Sequence, residues 1–476
     1  MPMMWTGNVM ARLLPKEGIR PGPLLQKVNV LVHREPYQSV LYHLYWTCVL
    51  VFVMPLMGVC LLLLGVVKVL RQLVSYAVSG EMRQRTIDPQ ELLHREKNNG
   101  GVELAVLITG CDSGLGHQLA LRLAKEGIVV FAGCYQNPTD SKPFANNAEA
   151  ASSSSRSSRN IRPLWLDVTN QEHVDRAYRE VEDWRAFRDN SGEHDDPGGD
   201  AGAGQPVGNP PSRHFYALLN NAGVARGGYV DWCQLSDYEQ CLEVNCLGQI
   251  RVCQSLLPIF QHQAIQQRAA ASQKNKNSTH SAIHATMRII NINSIAGHLP
   301  SGPLAGSPYE VSKNAAASFT DGLRLELAAW GIDVTSVDPS FHESPMGNAM
   351  ATRDMIRNTV WDRLPKHKQE QYGTAFLDTY LDHLSRTITS GLWDLDGLVN
   401  TVVEQCVLSA APPPAQLLVG MDAKFGLSLL HMLPPGWRQF LFRVCMPPQT
   451  PAVLLSTWTT TTEEEKLSST KKTKST

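Results

Sequence analysis

The sequence predicts an α/β fold, a doubly wound parallel sheet of about seven strands. Three observations carry that expectation. Short apolar, β-branched runs alternate with longer helix-compatible runs from residue 102 to about 420, the rhythm of a parallel sheet covered on both faces. The first apolar run, Val102-Glu-Leu-Ala-Val-Leu-Ile108, ends in Thr109-Gly-Cys-Asp-Ser-Gly-Leu-Gly116. That turn leads directly into the amphipathic run Leu115 to Glu126. A strand, a glycine-rich turn and a helix start suit a dinucleotide pyrophosphate, because glycines admit the phosphates close to the backbone and the first-turn amides meet their charge.

The candidate strands are 102–109, 128–133, 162–166, 215–220, 287–293, 332–337 and 416–420. Phe215-Tyr-Ala-Leu-Leu219 runs into Asn220-Asn-Ala-Gly223, which places amide groups at the carboxyl edge of the sheet, where ligands bind. A helical run follows over 237–260 and contains Asn245. Arg288-Ile-Ile-Asn-Ile-Asn293 ends at Ser294, and Tyr309-Glu-Val-Ser-Lys313 heads a helix-forming segment that reaches Trp330. Tyr309 and Lys313 are four apart and share a helix face. An ammonium close to a phenol favours the phenolate and moves its pKa toward the working range. Ser294, at a strand end, is placed to hydrogen-bond the oxygen of an alcohol or ketone.

The 476 residues carry a net charge of −1, and no basic run is interleaved with aromatics, so nucleic acid is not an expected partner. The ten cysteines are scattered, with no C-x-x-C pair and no Cys/His cluster, which argues against a metal site and a disulfide scaffold. Between Pro36 and Val67 there is no Asp, Glu, Lys or Arg. This run is long enough to cross a bilayer, with Tyr42, Tyr45 and Trp46 at one end and Lys68 and Arg71 at the other. It starts too far from Met1 for a usual cleaved leader. The expected organisation is a poorly ordered segment 1–40, a transmembrane helix 41–70, a linker 71–101, a catalytic domain 102–440 and a disordered tail 456–476. Surface insertions are expected near 137–160, 189–213 and 263–286, where Ser-, Gly/Pro- and Gln/Asn-rich stretches interrupt the rhythm.

With the four motifs in this order, the chain resembles the short-chain dehydrogenase/reductase family over roughly 100–345, and more loosely to about 440. The resemblance implies one Rossmann-type domain with a nicotinamide cofactor and no metal. It implies Tyr309 as acid/base, Lys313 as its pKa-lowering and ribose-holding partner, Ser294 as the group orienting the substrate oxygen, and Asn245 as support for a relay water. Gly110, Ser113, Gly114, Leu115 and Gly116 would then surround the pyrophosphate. Asp167 would lie near the adenine, while Asn221, Ala222, Gly223 and Pro339 line the cofactor with Tyr309 and Lys313. One departure is Pro339-Ser340-Phe341, where the family usually has Pro-Gly.

Cys111-Asp112-Ser113, Val130-Phe-Ala-Gly-Cys134 and Gly420-Met-Asp-Ala-Lys-Phe425 are most similar to a membrane-associated branch of the family. That branch contains retinol dehydrogenases, the type 2 17β- and 11β-hydroxysteroid dehydrogenases and 3-hydroxybutyrate dehydrogenase. It implies a lipophilic, steroid- or retinoid-like alcohol or ketone, NAD ahead of NADP, and a membrane location, the endoplasmic reticulum ahead of the mitochondrion; a homodimer is compatible with it. No Arg or Lys stands in the glycine turn or just after Cys134 to welcome a 2′-phosphate, and Asp112 would repel one. Two alternatives stay open. One is a 3-hydroxybutyrate-type enzyme, which needs a cation in its pocket, with Arg324 and His342 as candidates. The other is a catalytically idle nucleotide-binding scaffold.

Overall fold

A computed structural model describes residues 102–141, 144, 160–186, 212–272, 286–298 and 307–427, together with 430, 433, 436 and 437. All belong to the second of two compact units, Arg85–Thr476. The expected segments 1–40, 41–70, 71–101 and 456–476, and most of the three insertions, lie outside the described residues. Among the described residues no helix is long and apolar enough to cross a membrane.

Seven strands form one sheet: β1 (Val102–Thr109), β2 (Val129–Cys134), β3 (Ile161–Trp165), β4 (Ser212–Asn220), β5 (Arg288–Ile292), β6 (Asp333–Pro339) and β7 (Gln416–Val419). Their order is β3-β2-β1-β4-β5-β6-β7, and every pairing is parallel. Each expected strand is present within a few residues of its predicted place. The central strands read as continuous apolar runs because both faces are covered. Along β1, Val102, Leu104, Val106 and Ile108 face one layer, and Ala105 and Leu107 face the other, the period-2 alternation of a strand.

The first layer contains α1 (Gly114–Lys125) and, from the C-terminal part of the chain, the helix Leu395–Val402, which packs on α1. In α1, Leu119, Ala120, Leu123 and Ala124 turn inward, and Arg122 and Lys125 sit in the last turn, where they complement the helix dipole. The second layer contains the helices Gln171–Ala186, Gly248–Ser272 and Ser307–Leu327. The expected helix over 237–260 is three pieces: Leu235–Leu242, a π-helical turn Glu243–Leu247, and a long helix to Ser272. The third expected insertion is therefore helical at its start, continuing the preceding helix through residues 263–272.

A third cluster gathers Trp232, Trp361, Phe376 and Tyr380, all nearly fully buried. Trp232 meets Trp361 edge-on at 5.1 Å and Tyr380 at 5.5 Å between ring centres. Offset and edge-on aromatic contacts of this kind add to simple area burial. These rings are the packed core of the segment that follows β6, and they hold the helix Thr374–Ser390 in place.

The strand order turns back between β1 and β4, so the connections leaving these two strands diverge to opposite sides. A crevice at the carboxyl edge is the consequence.

Candidate active site

The crevice is a cleft of about 1020 Å³. Its near wall is the glycine turn. Gly110 and Gly114 have positive φ angles of 71° and 62°, the left-handed region that side chains rarely adopt. A Cβ on Gly110 would stand 2.8 Å from Ala222 Cα. Thr109 Oγ1 accepts the backbone N–H groups of Asn221 and Ala222 at 3.0 and 2.9 Å. Asn221 Nδ2 donates back to the carbonyls of Thr109 and Gly110 at 2.9 and 3.0 Å. The two motifs thus form one rigid edge.

Ser113 precedes α1 in an extended conformation, its side chain makes no capping hydrogen bond among the described residues, and the first turn has no acidic residue. The first-turn amides are therefore left for an anion, and Ser113, Gly114 and Leu115 line the cleft. This arrangement fits the pyrophosphate of a dinucleotide. Gly116 lies behind the lining: a Cβ there would stand 2.3 Å from the Gly110 carbonyl oxygen. It permits the turn and does not face the cleft.

At the far end, β5 leads to Ser294, which caps a short 3₁₀ turn by accepting from the Ala296 amide at 3.1 Å. The Ser294 hydroxyl also hydrogen-bonds the phenol of Tyr309. Lys313 is buried, donates to the Ile292 carbonyl at 2.9 Å, and lies 5.8 Å from the centre of the Tyr309 ring. Burial dominates both groups. It pushes the Tyr309 phenol up to about 12 against the Ser294 hydrogen bond, and pulls Lys313 down to about 8. The expected lowering of Tyr309 is thus absent from the protein alone, because excluding water penalises the phenolate more than its polar partners stabilise it.

Asn245 sits on the π-helical turn, fully buried and behind the cleft wall. Its Oδ1 accepts from the Val224 amide at 2.8 Å, and its Nδ2 donates to the Val224 carbonyl and to Ser312 Oγ, both at 2.9 Å. The side chain is committed to joining three segments. Gly223 packs beside these side chains: a Cβ there would lie 3.2 Å from Asn245 Oδ1 and 3.8 Å from Lys313 Nζ.

Asp167, Asn221, Ala222, Gly223 and Pro339 also line the cleft. One oxygen of Asp167 accepts from the amide and hydroxyl of Thr169 at 2.9 and 2.8 Å. Asp112 accepts the amides of Tyr135 and Gln136 at 2.8 and 2.9 Å, which fixes a negative charge beside the end of β2. Among the described lining residues Lys313 is the one Lys or Arg, whereas Asp112, Asp167 and Glu243 are acidic. Arg324 is elsewhere, donating to the Val334 and Ala415 carbonyls at 2.8 and 2.6 Å. His342 does line the cleft, but burial lowers its pKa and favours the neutral ring. Phe341, Met346, Leu384 and Ile388 are among the apolar residues that line the cleft.

The short chain dehydrogenase profile matches residues 104–186 and 279–354. Retinol dehydrogenase 5 of Mus musculus is 31% identical over 320 residues, covering 67% of this chain and 81% of that protein. The chain belongs to the short-chain dehydrogenase/reductase family. The 17-beta-hydroxysteroid dehydrogenase type 6 of Bos taurus is 28% identical over 349 residues, covering 73% of this chain and 90% of the relative. The mitochondrial D-beta-hydroxybutyrate dehydrogenase of Rattus norvegicus is 28% identical over 317 residues, covering 65% and 74%. As a short-chain dehydrogenase/reductase the chain is an oxidoreductase acting on CH–OH groups.

Sequence reading missed the clamp by Thr109 and the apolar lining from Leu384 and Ile388. Thr109 closes the first strand and had a local signal. The lining had none, because its residues share their helix pattern with ordinary core positions.

Proposed function

We propose that this short-chain dehydrogenase/reductase oxidises a lipophilic, steroid- or retinoid-like alcohol, or reduces the matching carbonyl compound, with NAD(H) as cofactor. The supporting observation is the composition of one cleft: it is lined by Ser294, Tyr309 and Lys313 together with apolar side chains such as Phe341, Leu384 and Ile388, and by no Lys or Arg other than Lys313 among its described lining residues.

Ser113, Gly114 and Leu115 would hold the pyrophosphate, Asp167 would lie at the adenine side, and Asn221 to Gly223, Pro339, Tyr309 and Lys313 would hold the nicotinamide half. The nicotinamide, when bound, supplies the hydride acceptor or donor and, in its oxidised form, a positive charge. Ser294 donates a hydrogen bond that orients the substrate oxygen. Tyr309 takes the hydroxyl proton in oxidation and returns it in reduction. Lys313 keeps a cation beside the phenol, which favours the phenolate needed for proton removal. The acidic lining disfavours a 2′-phosphate, which supports NAD over NADP.

The relatives include a retinol, a steroid and a hydroxybutyrate enzyme. A small carboxylate substrate needs a cation near the reacting oxygen. Arg324 is turned to the sheet and His342 favours its neutral form, so the observations support the lipophilic class. Anchorage through the segment 41–70, which contains most of the charge-free run from Pro36 to Val67, at the endoplasmic reticulum, suits a substrate that partitions into lipid. Assays with retinol, estradiol and 3-hydroxybutyrate, each with NAD and NADP, test the reading together with Tyr309→Phe. Turnover of retinol or estradiol with NAD, lost in Tyr309→Phe by a factor on the order of 10²–10⁴, is the expected result. Selective turnover of 3-hydroxybutyrate would sink the substrate class, and unchanged activity in Tyr309→Phe would sink the site.

A further inference from the structure

Thr320 is fully buried on the helix Ser307–Leu327, two turns beyond Lys313 and on the same face. Its hydroxyl donates to the Ala316 carbonyl of that helix at 2.7 Å, which commits its one proton. The lone pairs that remain accept from Asn291 Nδ2 at 2.9 Å and from Asn293 Nδ2 at 3.1 Å. Asn291 lies on β5 and Asn293 just beyond its end, so both share the sheet face that carries Ile289 into the second layer. Between them, Ile292 accepts the Lys313 ammonium on its carbonyl at 2.9 Å. The two asparagines are buried and are themselves fixed in the sheet. Asn291 Oδ1 accepts from Asn220 Nδ2 of β4 at 2.9 Å, and Asn293 Nδ2 also donates to Ser336 Oγ of β6 at 2.9 Å. Ser336 donates onward to Asp338 Oδ1 at 2.8 Å.

We propose that Thr320 is a positioning residue: through Asn291 and Asn293 it sets the register of the helix that carries Tyr309 and Lys313 against the strand that leads to Ser294. The proposal rests on the reading of the site given above, in which Lys313 helps to hold the nicotinamide half of the cofactor.

Apolar packing is non-directional and would let the helix slide along the sheet. Two hydrogen bonds that converge on one oxygen are directional and hold it at one place. A buried polar network whose members are satisfied fixes one arrangement of the elements it joins. Here those elements are the two that must agree for chemistry: Ser294 follows Asn293 directly, and Tyr309 stands in the first turn of the helix. Other ties reach the same helix nearer the site. Asn245 donates to Ser312, Asn314 donates to the Ala296 carbonyl at 3.1 Å, and the Tyr309 amide donates to the Arg226 carbonyl at 3.3 Å. Those run to the surrounding turns and loops, whereas Lys313 and Thr320 reach the end of β5 itself.

Titration of the full chain with NADH and with NADPH, followed by their fluorescence, reads the register without a substrate. Thr320→Val keeps the shape but leaves two asparagine N–H groups without this acceptor, and it should raise the Kd of the tighter cofactor about tenfold. Placed on Lys313→Met, the same change should raise Kd by less than about twofold, since the ammonium whose position it sets is gone. Thr320→Ser returns the oxygen and should bind within about twofold of the wild type. An unmoved Kd in Thr320→Val, an equal rise with and without Lys313, or a Thr320→Ser as weak as Thr320→Val overturns the proposal and leaves Thr320 a packing residue. Should Thr320→Val fail to fold, Asn291→Ala, which removes one of the two donors, enters the same cycle under the same criteria. Lys313→Met alone separates the two failures. Wild-type cofactor affinity in that variant removes the reading of the site and the positioning role with it, whereas a weakened Lys313→Met beside an unmoved Thr320→Val removes the positioning role alone.

Discussion

Lys313 Nζ lies 5.8 Å from the centre of the Tyr309 ring, and the burial they share drives their two pKa values apart, the phenol up to about 12 and the ammonium down to about 8. The pair is therefore biased toward the neutral lysine and the neutral phenol. Chemistry needs the charged lysine, so the fold carries a destabilising element at its own active site.

Lys313→Met should abolish turnover while making the fold more stable at neutral pH than its lost hydrogen bond to Ile292 suggests. The folded pKa of Lys313, about 8, lies below its ordinary 10.5. Its contribution to stability is thus fully present above 10.5 and is lost as pH falls through about 8. Wild-type stability should rise relative to Lys313→Met between these values, by an amount on the order of 1–3 kcal/mol. Urea unfolding at a series of pH values measures it; parallel curves for the two proteins would contradict the burial argument.

Asp112 should govern cofactor choice. Its carboxylate holds the amides of Tyr135 and Gln136, so its charge is fixed in place and cannot swing away from a 2′-phosphate. Asp112→Asn keeps an acceptor and removes the charge. Its kcat/KM for NADP should rise roughly tenfold relative to that for NAD. A ratio that does not move would place the discrimination elsewhere.

Much of this was legible in the sequence, and the reason is local. Strands buried on both faces are apolar from end to end, and the glycine turn must be glycine at Gly110, where the backbone meets Ala222. Ser294, Tyr309 and Lys313 were legible because each sits at a strand end or helix start. What stayed hidden depends on packing between distant segments. Gln416 reaches Asp338 across β6 and β7, and Leu384 reaches the cleft from a helix held by the Trp232 cluster. The upward shift of Tyr309 was hidden too, because a four-residue spacing shows proximity to a lysine and says nothing of how completely water is excluded.

Gly116→Ala should disable the turn from behind, by pushing on Gly110 and Asn221, which line the cleft. The new Cβ would stand 2.3 Å from the Gly110 carbonyl oxygen and 2.4 Å from Asn221 Nδ2. One obstacle is backbone, so the turn must move. Cofactor affinity should fall at least tenfold, with a thermal shift of several degrees, the size about 1–3 kcal/mol of overpacking produces. Isothermal titration with NADH and a thermal melt check both; wild-type affinity would mean that the turn yields more easily than its clamp by Asn221 implies.

Asn245 provides the sharpest separation between scaffold and chemistry. Its side chain spends its acceptor on the Val224 amide and its two N–H bonds on the Val224 carbonyl and Ser312. Ser312 belongs to the helix that carries Tyr309 and Lys313, so Asn245 joins the loop after β4 to that helix. Asn245→Ala removes all three bonds and leaves the partly buried amide and carbonyl of Val224 without this partner. The expected cost is about 2–4 kcal/mol of stability, together with a fall in kcat as the helix loses its register with Ser294. Asn245→Asp keeps the acceptor for Val224 but turns two donors into acceptors, and it should recover little of either loss. Urea unfolding and kcat at saturating cofactor measure the two effects side by side. If kcat collapses while stability holds, the side chain acts on the reaction itself, and its place as a tie between segments would be secondary.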